Sequence, residues 1–124
     1  MSYPTLNIKT YKASADYSTT GQYLFVKLSD DETVVVCSTK GEDNIGVLMN
    51  APSSGTAAEV AMIGGGALIE LAGTIVRNAK ITTNGDGEAI EPDAAGQIIS
   101  AMVLESGVDG DVVGCNLTIG ESHS

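Results

Sequence analysis

Short apolar segments rich in Val, Ile, Thr and Ala recur along this chain of 124 residues, and turn-forming residues separate them every few positions. The chain has 15 glycines, and no 12-residue stretch keeps a 3.6-residue apolar period without one. Glycine weakens a helix interior, whereas apolar runs of about four to eight residues bounded by turns are typical of strands. The sequence therefore predicts an all-β protein without a long helix.

The apolar runs predict about eight short strands, with no alternation of strands and helices. The nine candidate runs occupy positions 23–28, 33–37, 44–49, 58–63, 67–71, 80–83, 88–90, 97–105 and 111–119. Asn84 and Gly85 predict a tight hairpin, because both tolerate the positive φ that such a turn needs. Residues 92–96 could form one helical turn with Pro92 near its start. We expect a small β-barrel or a sandwich-like, β-tulip-like domain.

Residues 1–22 differ from the rest, and we interpret them as an extended N-terminal arm before a β domain at 23–119 and a C-terminal tail at 120–124. All five aromatic residues fall within the first 25 positions: Tyr3, Tyr11, Tyr17, Tyr23 and Phe25. Because tyrosine is enriched at interfaces, the arm is the first candidate for a docking surface. The alternative is a disordered tail whose tyrosines are incidental.

The chain is acidic, with 16 acidic against six basic residues and a net charge of −10. This charge argues against nucleic acid and anionic membranes as partners. The first 29 residues are the exception, since they contain three basic residues, Lys9, Lys12 and Lys27, and only one acidic residue, Asp16. Without an apolar leader or a run of about 20 apolar residues, we expect a soluble protein made in the cytoplasm.

Residues that carry chemistry are scarce. The single histidine, His123, stands next to the last residue, where rigid support is poor. Cys37 and Cys115 lie in apolar runs and are interpreted as buried thiols, with a disulfide as the alternative. Acidic clusters such as 84–88 match turns better than a calcium loop, which needs a glutamate at its twelfth position. We expect no catalytic site, no metal site and no cofactor.

The order of these elements resembles the head decoration, or capsid cement, proteins of tailed bacteriophages. The resemblance covers about residues 20–119 and rests on a series of Gly-, Ala- and Val-rich pieces. The pieces are a Gly-Val-Leu strand at 45–48, a Gly-led Glu-Val strand at 55–60, a glycine turn at 64–66, a spaced hairpin at 82–90, and a final strand pair at 98–104 and 110–113. The chain departs from the pattern at Ser100, where the family often has glycine, so a bulge there is in doubt.

The resemblance implies a structural protein on the outer capsid surface of the virion. Its partners would be the major capsid protein and further copies of itself, as a homotrimer on threefold or quasi-threefold positions. An extended arm could add as a strand to a capsid edge, so the expected capsid-binding residues are Tyr3, Leu6, Ile8, Lys9, Tyr11, Lys12 and Tyr17. The alternatives are a carbohydrate-binding module of a phage tail, fibre or cell-surface protein, and a trimeric β-fold hydrolase, for which no acid–base pair is evident.

Overall fold

The computed structural model describes residues 7–123, and these form ten strands and no helix, which confirms the predicted all-β fold. No helix long and apolar enough to cross a membrane is therefore found within that range. The strands are β1 (Ile8–Ala13), β2 (Phe25–Leu28), β3 (Thr33–Val36), β4 (Gly46–Leu48), β5 (Ala57–Met62), β6 (Gly66–Glu70), β7 (Lys80–Thr83), β8 (Ala89–Ile90), β9 (Ile98–Val103) and β10 (Val112–Ser122).

The first five strands close into a barrel in the order β1-β3-β2-β4-β5. β5 pairs back onto β1 in antiparallel register, from Ile8 opposite Ala61 to Lys12 opposite Ala57. β1 and β3 are parallel neighbours, and the other pairs of the barrel are antiparallel. β1 is therefore the strand that completes the barrel.

The other five strands form a second sheet in the order β6-β10-β9-β7-β8. Its two edge strands approach each other, because Leu71, just after β6, forms a parallel bridge with Ala89 of β8. The Ala72 amide reinforces this bridge by donating to the Ala89 carbonyl at 2.9 Å. The sheet is thus strongly curled and encloses apolar side chains on its inner face.

β2, β4 and β5 contribute buried side chains from both of their faces, and the alternation of side chains divides the interior into two cores. Val26 and Leu48 point into the barrel, whereas their neighbours Phe25 and Val47 pack against the second sheet. All four side chains are fully buried. Strands buried on both faces need continuous apolar runs, which is why 45–48 and 58–63 lack a regular polar alternation.

Both cysteines belong to the core between the barrel and the second sheet. Cys37 and Cys115 are buried and free, as the sequence predicted. Burial raises the pKa of each thiol to about 12. They therefore act as small apolar side chains rather than as nucleophiles or metal ligands.

The predicted division into an arm, a domain and a tail does not follow the structure. The arm was predicted to end at residue 22, but β1 is a strand of the barrel and donates its Lys12 amide to the Glu32 carbonyl at 2.8 Å. The tail was predicted to begin at residue 120, but β10 continues to Ser122, which pairs with Ile98 beyond a register shift. Both segments are polar at the surface, so their pairing is not visible as an apolar pattern.

The hairpin predicted at 84–87 is present, with a different turn chemistry. β7 and β8 pair with Thr83 opposite Ala89. The side chain of Asn84 holds the turn by accepting the amides of Asp86 and Glu88, both at 2.9 Å, and the positive φ of 83° lies at Gly87 instead of Asn84 or Gly85. Residues 92–96 form a turn rather than the single helical turn that was predicted.

Candidate functional site

Two of the predicted capsid-binding residues, Tyr3 and Leu6, lie outside the residues that the structure describes. Of the remaining five, three are exposed on β1. Ile8 is 41% exposed, and Lys9 and Lys12 are exposed as well. The structure thus leaves one short strand with an apolar residue and two cations available for a partner.

Tyr11 and Tyr17, by contrast, belong to the barrel core, where they are only 9% and 8% exposed. The hydroxyl of Tyr17 accepts the backbone amide of Val36 at 3.0 Å. Gly21, at a φ of 103°, lies so close to this ring that a Cβ there would be 2.7 Å from it. A side chain held in this way cannot insert into a capsid pocket, so the prediction that Tyr11 and Tyr17 dock on a partner is corrected.

β1 has a partly open edge beside these residues. β3 pairs with β1 only at Lys12 and Ala13, whereas β5 pairs along Ile8 to Lys12. A groove of about 400 Å³ lies next to this edge, between β1 and the loops around Glu32 and Gly55. Unpaired strand edges are templates for a strand from another chain.

The cations of β1 are also free to interact. Lys27, Lys40 and Lys80 each form an ion pair, but Lys9 and Lys12 form none with residues 7–123. The ammonium of Lys9 lies 5.1 Å from the centre of the Tyr11 ring, a cation–π distance. β1 therefore carries two cations without an ion-pair partner in a chain of net charge −10, and Asp31 and Glu32 line the same groove.

A second candidate site is a cleft of about 770 Å³ between the barrel and the second sheet. Tyr23 and Gln22 contribute from the barrel side, and Glu70 and Glu88 from the second sheet. Tyr23 has a left-handed backbone, with a φ of 67°, and its carbonyl accepts the Glu70 amide at 2.9 Å. This contact joins the barrel to β6 at the floor of the cleft.

The carboxyl groups of Glu70 and Glu88 interact in this cleft. A hydrogen bond between the Glu70 and Glu88 side chains raises the pKa of Glu70, and burial and the charges of Glu88 and Asp109 raise it further. A carboxyl pair beside a tyrosine can bind a cationic or a polyhydroxylated group. Sequence reasoning missed this site, because Glu70 and Glu88 meet only through the bridge between Leu71 and Ala89.

The remaining acidic residues mostly stabilise turns. Asp30 accepts the amide of Glu32 at 3.0 Å, and Asp111 accepts the amide of Val108 at 2.9 Å. Glu42 accepts the amides of Ser38 and Thr39 at 2.8 and 2.7 Å. No group of three or more potential ligands from Asp, Glu, His and Cys is close enough within 7–123 to hold a metal ion.

Comparison of the sequence with models of known protein families found no match, and a comparison with curated proteins found none. Among solved structures, the chain is similar to the head fiber gp8.5 N base of bacteriophage phi29, with a TM-score of 0.71. The two chains are 15% identical, and the alignment covers 96% of this chain and 99% of the other. At this identity the similarity establishes a shared fold, which extends over nearly the whole chain.

Proposed function

We propose that this protein is a structural component of a tailed-phage head, which binds the outer capsid surface and bridges capsid subunits. The observation that carries the proposal is the similarity to a phage head fiber base over 96% of this chain. The order of sequence elements separately resembles capsid decoration proteins. A fold alone does not fix a function, so the proposal depends on a surface that fits a capsid.

The surface that fits is the exposed part of β1. A capsid strand added to its open edge would gain main-chain hydrogen bonds, and Ile8 would fill an apolar pocket. Lys9 and Lys12 would pair with individual capsid carboxylates at the docking site. A protein that binds the assembled shell and not free subunits stabilises that shell by mass action.

The test is co-sedimentation with capsids of the phage that encodes the chain. Ile8→Ala and the double variant Lys9→Glu/Lys12→Glu should each weaken binding by about fivefold or more, the effect of losing roughly 1 kcal/mol. Leu28→Ala is the matched control for Ile8, because Leu28 is 43% exposed and Ile8 is 41% exposed. The double variant Arg77→Glu/Lys80→Glu controls for the change of charge, because it changes the net charge by the same amount at positions outside β1. Wild-type binding by all variants would refute β1 as the docking strand, and no binding by the wild-type protein would refute the function.

The cleft favours a second candidate, carbohydrate recognition by a virion or cell-surface module. Tyr23 is half-buried and lines the cleft together with Glu70 and Glu88. Sugar sites combine an aromatic platform with a few polar groups in this way. A panel of neutral oligosaccharides should then shift the amide resonances of residues 70 and 88, with loss of the shifts in Tyr23→Ala. Unchanged spectra across the panel would exclude this candidate.

A further inference from the structure

The hairpin between β7 and β8 contains the dipeptide Asn84-Gly85, whose chemistry neither proposed function uses. In such a dipeptide the backbone nitrogen of the glycine can attack the side-chain amide of the asparagine, because glycine has no side chain to shield that nitrogen. The attack closes a succinimide ring and releases ammonia. The geometry of the turn decides whether a folded chain favours this reaction or resists it.

The side-chain oxygen of Asn84 is held by two backbone donors. The amides of Asp86 and Glu88 both donate to Asn84 Oδ1 at 2.9 Å. Negative charge develops on this oxygen when a nucleophile attacks the side-chain carbon Cγ, and donors at about 2.7–3.1 Å stabilise such a charge. The two amides therefore form an oxyanion-binding arrangement at the carbonyl group that would react.

The attacking nitrogen is accessible. Gly85 is exposed, and its amide donates to no acceptor within 7–123. A Cβ at Gly85 would meet no atom closer than the Ser38 carbonyl oxygen at 3.8 Å, so the neighbouring chain does not crowd this position. The φ of Gly85 is not positive, so an alanine can take its place in the turn.

The leaving nitrogen also has a partner, because Asn84 Nδ2 donates to Glu88 Oε1 at 3.3 Å. When the Gly85 nitrogen bonds to Asn84 Cγ, it gives up its proton. The bond between Cγ and Nδ2 then breaks, and Nδ2 leaves with that proton as ammonia. The Glu88 carboxylate is placed to relay the proton. Water opens the ring at Cγ to give aspartate, or at the main-chain carbonyl carbon to give isoaspartate, so one water is consumed for each ammonia released.

We propose that the folded β7–β8 turn promotes spontaneous deamidation of Asn84, so that the cleft has an early amide form and a later carboxyl form. The bridge between Leu71 and Ala89 places Glu70 beside Glu88, and both line the cleft. Deamidation adds a third carboxyl there and removes the Nδ2 donor that Glu88 accepts. Like charges on paired strands are destabilising, so the carboxyl form should loosen the contact between β6 and β8. The proposal does not depend on binding to a capsid.

Peptide mapping by mass spectrometry measures how fast Asn84 is converted when the full chain is incubated near neutral pH. The reference is a synthetic peptide of residues 80–90 with blocked ends in the same buffer, which has the dipeptide without the fixed turn. Asn84 should convert about tenfold faster in the folded chain, since one aligned oxyanion donor contributes about a hundredfold in enzymes. Asn50 is the internal control and should stay unmodified, because its Oδ1 accepts one amide, from Glu59 at 3.0 Å, and Ala51 follows it.

Two conservative variants test the nucleophile and the proton relay. Gly85→Ala adds a methyl group that shields the attacking nitrogen, and it should slow conversion in the folded chain at least about tenfold. Glu88→Gln keeps an oxygen acceptor for Asn84 Nδ2 but cannot carry a proton, so it should slow conversion about tenfold. A folded chain that converts Asn84 at the rate of the peptide or more slowly would overturn the proposal, because the turn would then protect the amide. Unchanged conversion in Gly85→Ala would overturn it as well.

The consequence for the cleft is tested separately with Asn84→Asp, which has the side chain of the aspartate product. Its carboxyl can still accept the amides of Asp86 and Glu88, so the variant isolates the loss of the Nδ2 donor. It should melt about 3–6 °C below the wild type. Equal melting temperatures would refute the loosening of the contact between β6 and β8.

Discussion

Tyr17 offers a direct test of whether the residues before 23 belong to the folded domain. Its hydroxyl accepts the Val36 amide at 3.0 Å, on the part of β3 that β1 no longer pairs. Tyr17→Phe would leave this partly buried amide without a partner, which costs about 1–2 kcal/mol of unfolding free energy. Tyr17→Ala would also empty a site that is only 8% exposed, for a total of about 3–5 kcal/mol.

Urea unfolding followed by circular dichroism measures both losses, and an unchanged m-value would show that the unfolded states are comparable. Tyr23→Phe is the control, because the Tyr23 hydroxyl has no hydrogen bond within 7–123, and its effect should stay within about 0.5 kcal/mol. Tyr17→Phe should bind capsids like the wild type. A stable Tyr17→Ala variant that fails to bind capsids would refute our reasoning, because Tyr17 would then be a docking residue.

Three further predictions concern ionisable groups. Cys37 and Cys115 should react with a thiol reagent only after unfolding, as measured in native and denaturing buffer, because burial raises their pKa to about 12. Glu70→Gln should raise the melting temperature above pH 7 and make the melting temperature depend less on pH. The reason is that the fold raises the pKa of Glu70, so the stabilising effect of Glu70 is full below about pH 4.3 and is lost as pH rises. Glu42→Ala should destabilise at pH 7 by about 1–3 kcal/mol, with a smaller effect near pH 3. Burial alone would raise the pKa of Glu42, but the Lys27 ammonium and two backbone amides lower it, so its stabilising effect is lost as pH falls.

The strands of this fold could be predicted from the sequence because their determinants are local. β7 was predicted with its observed bounds, Lys80–Thr83, and the other predicted strands differ from the structure by one to three residues at an end. β-Branched residues and flanking turns define such strands without knowledge of their partners. The parallel pairing of β1 with β3 depends on contacts with distant residues, so β1 was mistaken for an arm.

The candidate sites were harder to predict for the same physical reason. The exposed residues Ile8, Lys9 and Lys12 were identified from their alternation and charge, but burial of Tyr11 depends on β5, which lies some fifty positions away. The carboxyl cleft has no sequence signal at all. Its residues come together only when the second sheet curls.

The two-core architecture also limits where this protein can interact. β2, β4 and β5 contribute side chains to both cores, so their apolar residues are occupied with folding. β1 and the strands of the second sheet have one face outside both cores, and the exposed residues of β1 described above lie on such a face. This division places Ile8 of β1 and Leu104 next to β9 at separate surfaces, each 41% exposed. A protein that joins a shell through β1 can therefore do so without disturbing either core, and Ile8→Ala should weaken capsid binding while it leaves the unfolding free energy nearly unchanged.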